Sequence, residues 1–177
     1  GIEPALKLAA DHFPGGRVGV MATEVTLREE KFDTLLHRFD ENCVIHRIPA
    51  PGLVQLIEQG KVDTEETEAL LRQILGPYIG KLDALVLGCT HYPLIRSTIA
   101  RTMGSDVTLV NPAYETAVQL RTLLRSMEMN CDEGRNLPVE EKYQFFVSDM
   151  ADKFRAFATA ILPDEVKQTI KINIEEY

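Results

Sequence analysis

The sequence predicts an α/β fold, a mostly parallel sheet with helices on both faces. Three observations predict it. Short runs rich in valine and isoleucine alternate with segments that carry apolar residues at helical spacing. One run, Asp83 to Leu87 (DALVL), is almost wholly apolar, as a strand covered on both faces requires. Helical segments stand between successive strands and supply the crossovers that parallel neighbours need.

Taken in order, Pro4 to His12 has helical spacing and stops at Pro14-Gly15-Gly16. Arg17 to Ala22 (RVGVMA) is a strand, and Val25 to Leu36, with Leu27, Phe32, Leu35 and Leu36, is one helix. Cys43 to Ile48 is a second strand, broken by Pro49, Pro51 and Gly52 before a helix from Leu53 to Glu58. Asp63-Thr64-Glu65-Glu66 opens a capped, acidic helix whose stripe of Leu70, Leu71, Ile74 and Leu75 ends at Gly76-Pro77. Asp83 to Leu87 is followed by Gly88 to Pro93 and a helix through Arg101, and Val107 to Val110 is the next strand. Beyond Asn111-Pro112 come a helix to Met129, a polar loop with Asp132, Glu133 and Gly134, a strand Gln144 to Val147, a helix Asp149 to Ile161, and a strand-like tail from Gln168 to Ile174.

At 177 residues the chain is one domain or a domain with an appendage. Apolar residues make up 45% and charged ones 26%, a balance that buries a core. Nineteen Lys and Arg against 27 Asp and Glu give a net charge of -8, with no long basic run, so no nucleic-acid partner is expected. No apolar stretch is long enough for a bilayer span and no signal pattern opens the chain, so the expectation is a cytoplasmic protein without a membrane partner. The cysteines Cys43, Cys89 and Cys131 are far apart, which suits neither a disulfide framework nor a zinc site.

The segment Leu85-Val86-Leu87-Gly88-Cys89-Thr90-His91-Tyr92-Pro93-Leu94 carries the chemistry. A buried strand delivers Cys89 to the edge of the sheet where ligands bind in such folds. Gly88 permits a sharp turn, and Pro93 suits the first turn of a helix. The positive end of that helix and the His91 imidazole favour thiolate and attract a carboxylate, to which Thr90 adds a hydroxyl. The residues alone leave a second reading open, in which Cys89 is a small buried side chain and His91 caps a carbonyl. A Cys-x-His metal pair lacks a nearby third ligand, and no metal is expected.

Gly-Cys-Thr-His-Tyr-Pro-Leu at Gly88 to Leu94 resembles the second-cysteine motif of glutamate racemases in the aspartate/glutamate racemase superfamily. Gly1-Ile2-Glu3-Pro4, Gly19 to Thr23 with Thr26, Val54 to Lys61 and Glu115-Thr116-Ala117 are also similar to that family. Ala50 departs from it, standing where a cysteine is frequent. The resemblance covers nearly all of this chain but only the later portion of the family's two-lobed, pseudosymmetric fold. It implies a second-lobe α/β domain over residues 1–108 and a segment over 109–177 that belongs to the first lobe. The Asp-Ser, Tyr-Gly and Cys-Asn-Thr motifs of that first lobe do not occur here.

The resemblance further implies cofactor-independent racemisation of glutamate, supplying D-glutamate for peptidoglycan, with aspartate as the alternative substrate. Inverting an α-carbon takes two acid/base groups, one on each face of the planar carbanion. Cys89 is implied as one of them, tuned by His91, with Thr90, His91, Thr23 and Thr26 binding substrate and Glu58 supporting His91. Glu58 also reads as a solvated helix charge, and Thr23 and Thr26 as helix caps. Cys43, at the remote end of a strand, and Cys131, in a polar loop with Asp132 and Glu133, make poor opposing thiols. A non-catalytic, carboxylate-binding remnant is the rival function. The apolar faces of Leu120 to Leu124 and Phe154 to Ile161 are expected to be exposed or buried by self-association, which makes the isolated chain a homo-oligomer or unstable.

Overall fold

Pro4 stands in the first turn of α1 (Glu3–His12), where its missing N–H costs nothing, and the helix buries Ala5, Leu6, Ala9 and Ala10. The computed structural model describes residues 2–39, 41–129, 138–149 and 151–176. Cys131 and the loop residues Asp132, Glu133 and Gly134 lie outside the described residues. The chain divides into two compact units, Gly1–Met129 and Asn130–Tyr177.

In the first unit four strands, β1 (Arg17–Ala22), β2 (Val44–Pro49), β3 (Ala84–Leu87) and β4 (Thr108–Val110), form one sheet in the order β2-β1-β3-β4. Every pairing is parallel, with Met21 opposite Leu87 and Val86 opposite Val110. Side chains alternate across the strands, so Val18, Val20, Ala84 and Val86 share one face. That face packs on α1 and on Phe32 and Leu36. On the other face, Gly19 makes room for Leu82, Leu85 and Ile48, whose side chains stand 2.6–3.0 Å from where its Cβ would be.

The expected helix from Val25 to Leu36 is instead two, α2 (Glu24–Arg28) and α3 (Glu30–His37). Glu29 between them has ψ 130°, an extended conformation that ends one helix while its carbonyl accepts the first N–H bonds of the next. Thr23 Oγ1 caps α2 by accepting the Thr26 N–H. The next helices, α4 (Leu53–Glu58) and α5 (Glu65–Leu75), fall where expected, and Thr64 caps α5 by accepting the Thr67 N–H. They bury Leu53, Leu56, Ile57, Leu71 and Leu75.

A second difference follows β3. Tyr92 to Ile95 form a 3-10 turn, and α6 (Arg96–Met103) begins only after Ile95 leaves helical geometry at φ -109° and ψ 23°. Pro93 lacks the N–H that would extend an α-helical ladder through this turn, so short i to i+3 bonds close it. The α-helix expected to hold Pro93 in its first turn therefore begins about one turn further along.

After β4, α7 (Pro112–Ser126) is capped by Asn111, whose Oδ1 accepts the Ala113 N–H at 3.0 Å. It buries none of its residues; Leu120 is 53% exposed and Leu123 54%. In the second unit, α8 (Val139–Lys142) precedes a strand–helix–strand crossover of β5 (Phe145–Val147), α9 (Ala151–Ile161) and β6 (Thr169–Lys171), whose strands pair in parallel. Phe154 and Ile161 on α9 are exposed.

Asp83, at the entry to β3, ties it to β1. Its Oδ2 accepts the Arg17 backbone N–H at 2.7 Å and faces the Arg17 guanidinium. Those bonds hold the Asp83 carboxyl below its ordinary range. A carboxyl depressed in the folded state contributes stability above its unfolded pKa of about 4, and loses it as pH falls through the folded value. Asp83→Asn is expected to lower the melting temperature at neutral pH by a few degrees, and the gap to the wild type should close as pH falls below the ordinary carboxylate range. Thermal melts across that range check it.

Candidate active site at the carboxyl edge of the sheet

The strand order reverses direction between β1 and β3: the chain steps from β1 outward to β2, then returns to the other side of β1. Connections leave the carboxyl ends of β1 and β3 in opposite directions, and such a switch point opens a crevice where ligands bind. Thr23 follows β1 at this edge, and Gly88-Cys89 follow β3.

Gly88 is required here by close approach. A Cβ on it would lie 2.8 Å from the Met21 carbonyl oxygen and 3.2 Å from the Ala22 Cβ. Its N–H donates to that same carbonyl at 2.7 Å, which extends the β1–β3 ladder one residue past the strand. Cys89 is thus delivered from a fixed rail. It is partly exposed and not sealed in the core.

The Cys89 Sγ lies 3.7 Å from His91 Nδ1, and Thr90 Oγ1 lies 3.4 Å from the same nitrogen. On its far side His91 Nε2 is 3.0 Å from Glu58 Oε1. A carboxylate only accepts, so the network assigns a proton to Nε2. Nδ1 of a neutral ring is then an acceptor for the thiol proton, and an imidazolium would donate to the thiolate. The His91 side chain is 22% exposed and that of Glu58 57%, so the carboxylate is the more solvated end of the pair. Glu58 is therefore a partner of His91 and not only a solvated charge, although 33 residues separate them.

The turn itself is anchored by Tyr92, which is fully buried. Burial, and the negative charge of a Cys89 thiolate, push its phenol above its ordinary range. Its hydroxyl donates to the Ala50 carbonyl at 3.5 Å.

Beside Cys89 an open cavity of about 240 Å³ is walled by Ile2, Leu87, Gly88, Thr90, Pro93 and the Asn111-Pro112-Ala113 segment. Motif reading missed Ile2 and Asn111, although the Asn-Pro break at the end of β4 marks the same edge of the sheet. Thr23 and Thr26 bond to each other, Oγ1 to Oγ1 at 3.0 Å, and the Thr23 hydroxyl caps α2. They sit at the carboxyl end of β1 and are not in the wall of this cavity.

Cys43 stands at the opposite edge, immediately before β2, buried in the core with its thiol directed at the Phe39 carbonyl at 3.7 Å. Among the described residues no group of three or more His, Cys, Asp or Glu side chains is arranged to hold a metal ion. No helix among them is long and apolar enough to cross a membrane.

Comparison with known proteins gives a consistent picture. The glutamate racemase of Desulforudis audaxviator is 35% identical over 174 residues, which cover 97% of this chain and 64% of that protein. The glutamate racemase of Pseudomonas paraeruginosa is 40% identical over 172 residues, 97% of this chain and 58% of its own length. The crystal structure of the Francisella tularensis glutamate racemase in complex with D-glutamate superposes with a TM-score of 0.83 at 28% identity, covering 99% of this chain and 64% of that one. This chain thus spans about three fifths of the length of these relatives. The Asp/Glu/Hydantoin racemase family matches residues 1–120, two thirds of the sequence, and the chain belongs to that family.

Proposed function

We propose that this chain acts in the interconversion of L- and D-glutamate without metal or organic cofactor, contributing one of two opposed acid/base thiols. The observation that carries the reading is the Cys89–His91–Glu58 series at the switch point, open to a cavity. Relatives named glutamate racemase, one of them with D-glutamate bound, support glutamate as the substrate.

In this reading the Cys89 thiolate takes the α-proton from one face, and the electron pair stays on the α-carbon, delocalised into the carboxylate. A thiol on the opposite face returns a proton there. His91, held by Glu58, accepts or returns the Cys89 proton, and Thr90 with the turn's N–H groups binds the substrate carboxylate. Thr23 and Thr26, at the neighbouring strand end, are proposed to reach the substrate's other polar end. The opposing thiol is assigned to a first lobe, with residues 1–108 forming the second lobe and 109–177 returning to the first. Supply of D-glutamate to peptidoglycan synthesis would place the reaction in the cytoplasm. The exposed Leu120 and Leu123 support self-association of the isolated chain into a homo-oligomer.

Site-resolved alkylation of Cys89 tests whether glutamate occupies this site. With glutamate at roughly ten times its Kd, the rate at Cys89 is expected to fall about tenfold, following the fraction of chain left unbound. An unchanged rate at every attainable glutamate concentration would remove the reading. The non-catalytic alternative draws on the absence of a Cys-Asn-Thr segment from this sequence. It predicts the same protection but no exchange at the α-carbon.

A further inference from the structure

We infer that Tyr92 is a positioning residue, fixing α4 against the Cys89 turn so that Glu58 meets His91 and tunes the thiol. The inference rests on the reading of Cys89, His91 and Glu58 as the working group. Two adjacent residues of the turn bond on either side of one short helix, one to its last residue and one to the loop that feeds it. At the end of α4, Glu58 meets His91; ahead of its start, the Ala50 carbonyl accepts from the Tyr92 hydroxyl.

α4 has only six residues, too few for its own hydrogen bonds to fix its direction. Its buried Leu53, Leu56 and Ile57 hold one face to the core, but apolar packing alone is non-directional. Two ties restrict the loop that feeds it. The Ala50 N–H donates to the Ala22 carbonyl at the end of β1, at 3.0 Å, and the Ala50 carbonyl faces Tyr92. The Tyr92 ring has no exposed surface, so its hydroxyl cannot swing to another partner without repacking the core.

Tyr92→Phe keeps the ring and deletes the tie. The full 177-residue chain is assayed by the alkylation rate at Cys89, read by mass spectrometry, and by the ring nitrogen NMR resonances of His91. Glu58→Gln is expected to slow alkylation about tenfold, because the imidazole loses the carboxylate that supports its role as acceptor. Tyr92→Phe is expected to slow it about threefold, the scale of one net hydrogen bond, and to shift the His91 Nε2 resonance in the same direction as Glu58→Gln. On the Glu58→Gln background the tyrosine substitution should add nothing, which a general loss of packing would not reproduce. Wild-type behaviour of Tyr92→Phe in both readouts overturns the inference, as does an equal slowing on both backgrounds. If Glu58→Gln itself leaves both readouts unchanged, the working-group reading falls, and the inference with it.

Discussion

Replacing Gly88 by alanine is expected to cost about 1–3 kcal/mol of folding stability, a large effect for one methyl group, and to slow the chemistry of Cys89. The added carbon would stand 2.8 Å from the Met21 carbonyl oxygen, a backbone atom that cannot rotate away as a side-chain end could. That oxygen also accepts the Gly88 N–H at 2.7 Å, so relieving the clash means opening the ladder between β1 and β3. The end of β3 would lift, carrying Cys89 away from His91. Gly76→Ala is the control, since a Cβ there meets nothing within 4 Å and the backbone is helical. Its expected change is neutral or a gain below about 1 kcal/mol. Thermal melts of both variants, with alkylation rates at Cys89, check the pair; equal melting temperatures would contradict the close-approach account.

The same glycine shows how far the sequence was readable. Its place between an apolar strand and a cysteine was plain, but the reason assigned to it, a sharp turn, differs from the observed one, contact with a neighbouring strand. Local patterns located β1 and β3 because an apolar run of that kind has few alternatives. They did not separate α2 from α3, because the extended ψ at Glu29 leaves the apolar spacing of Leu27, Phe32 and Leu36 undisturbed. They also placed an α-helix where Pro93 imposes a 3-10 turn. At the site, Cys89, Thr90 and His91 were legible as consecutive residues of one motif. The meeting of Glu58 with His91 was implied only by the resemblance; like the Tyr92–Ala50 tie and the cavity wall of Ile2 and Asn111, it depends on which strand lies beside which, and no local spacing encodes that.

Cys89→Ser and Cys43→Ser are expected to have opposite consequences. At Cys89 the hydroxyl keeps the size and hydrogen-bonding capacity of the side chain in a partly exposed position, so the fold should be unaffected. A hydroxyl is far less acidic than a thiol, however, and loss of the acid/base group should remove α-proton exchange by about 10³-fold or more. Cys43 is 4% exposed within the core, where exchanging sulfur for a more polar oxygen should cost about 1–3 kcal/mol. The Phe39 carbonyl remains as an acceptor and limits that cost. Activity per folded molecule should persist, because Cys43 lies at the other edge of the sheet. Chemical denaturation together with an exchange assay separates the two effects; loss of exchange in Cys43→Ser at full folding would reverse the site assignment.

The central claim is that the Cys89 sulfur trades a proton with the α-carbon of glutamate. Incubating the chain with L- and D-glutamate separately in deuterated water, and reading deuterium at the α-position, addresses it directly. Deuterium is expected in both enantiomers if an opposing thiol is supplied, in one alone if the chain works as a half-site, and in neither for Cys89→Ser. Preferential labelling of aspartate would move the substrate assignment while leaving the chemistry in place. A folded chain that labels neither enantiomer once the opposing thiol is supplied, or a Cys89→Ser chain that labels as fast as the wild type, would contradict the account.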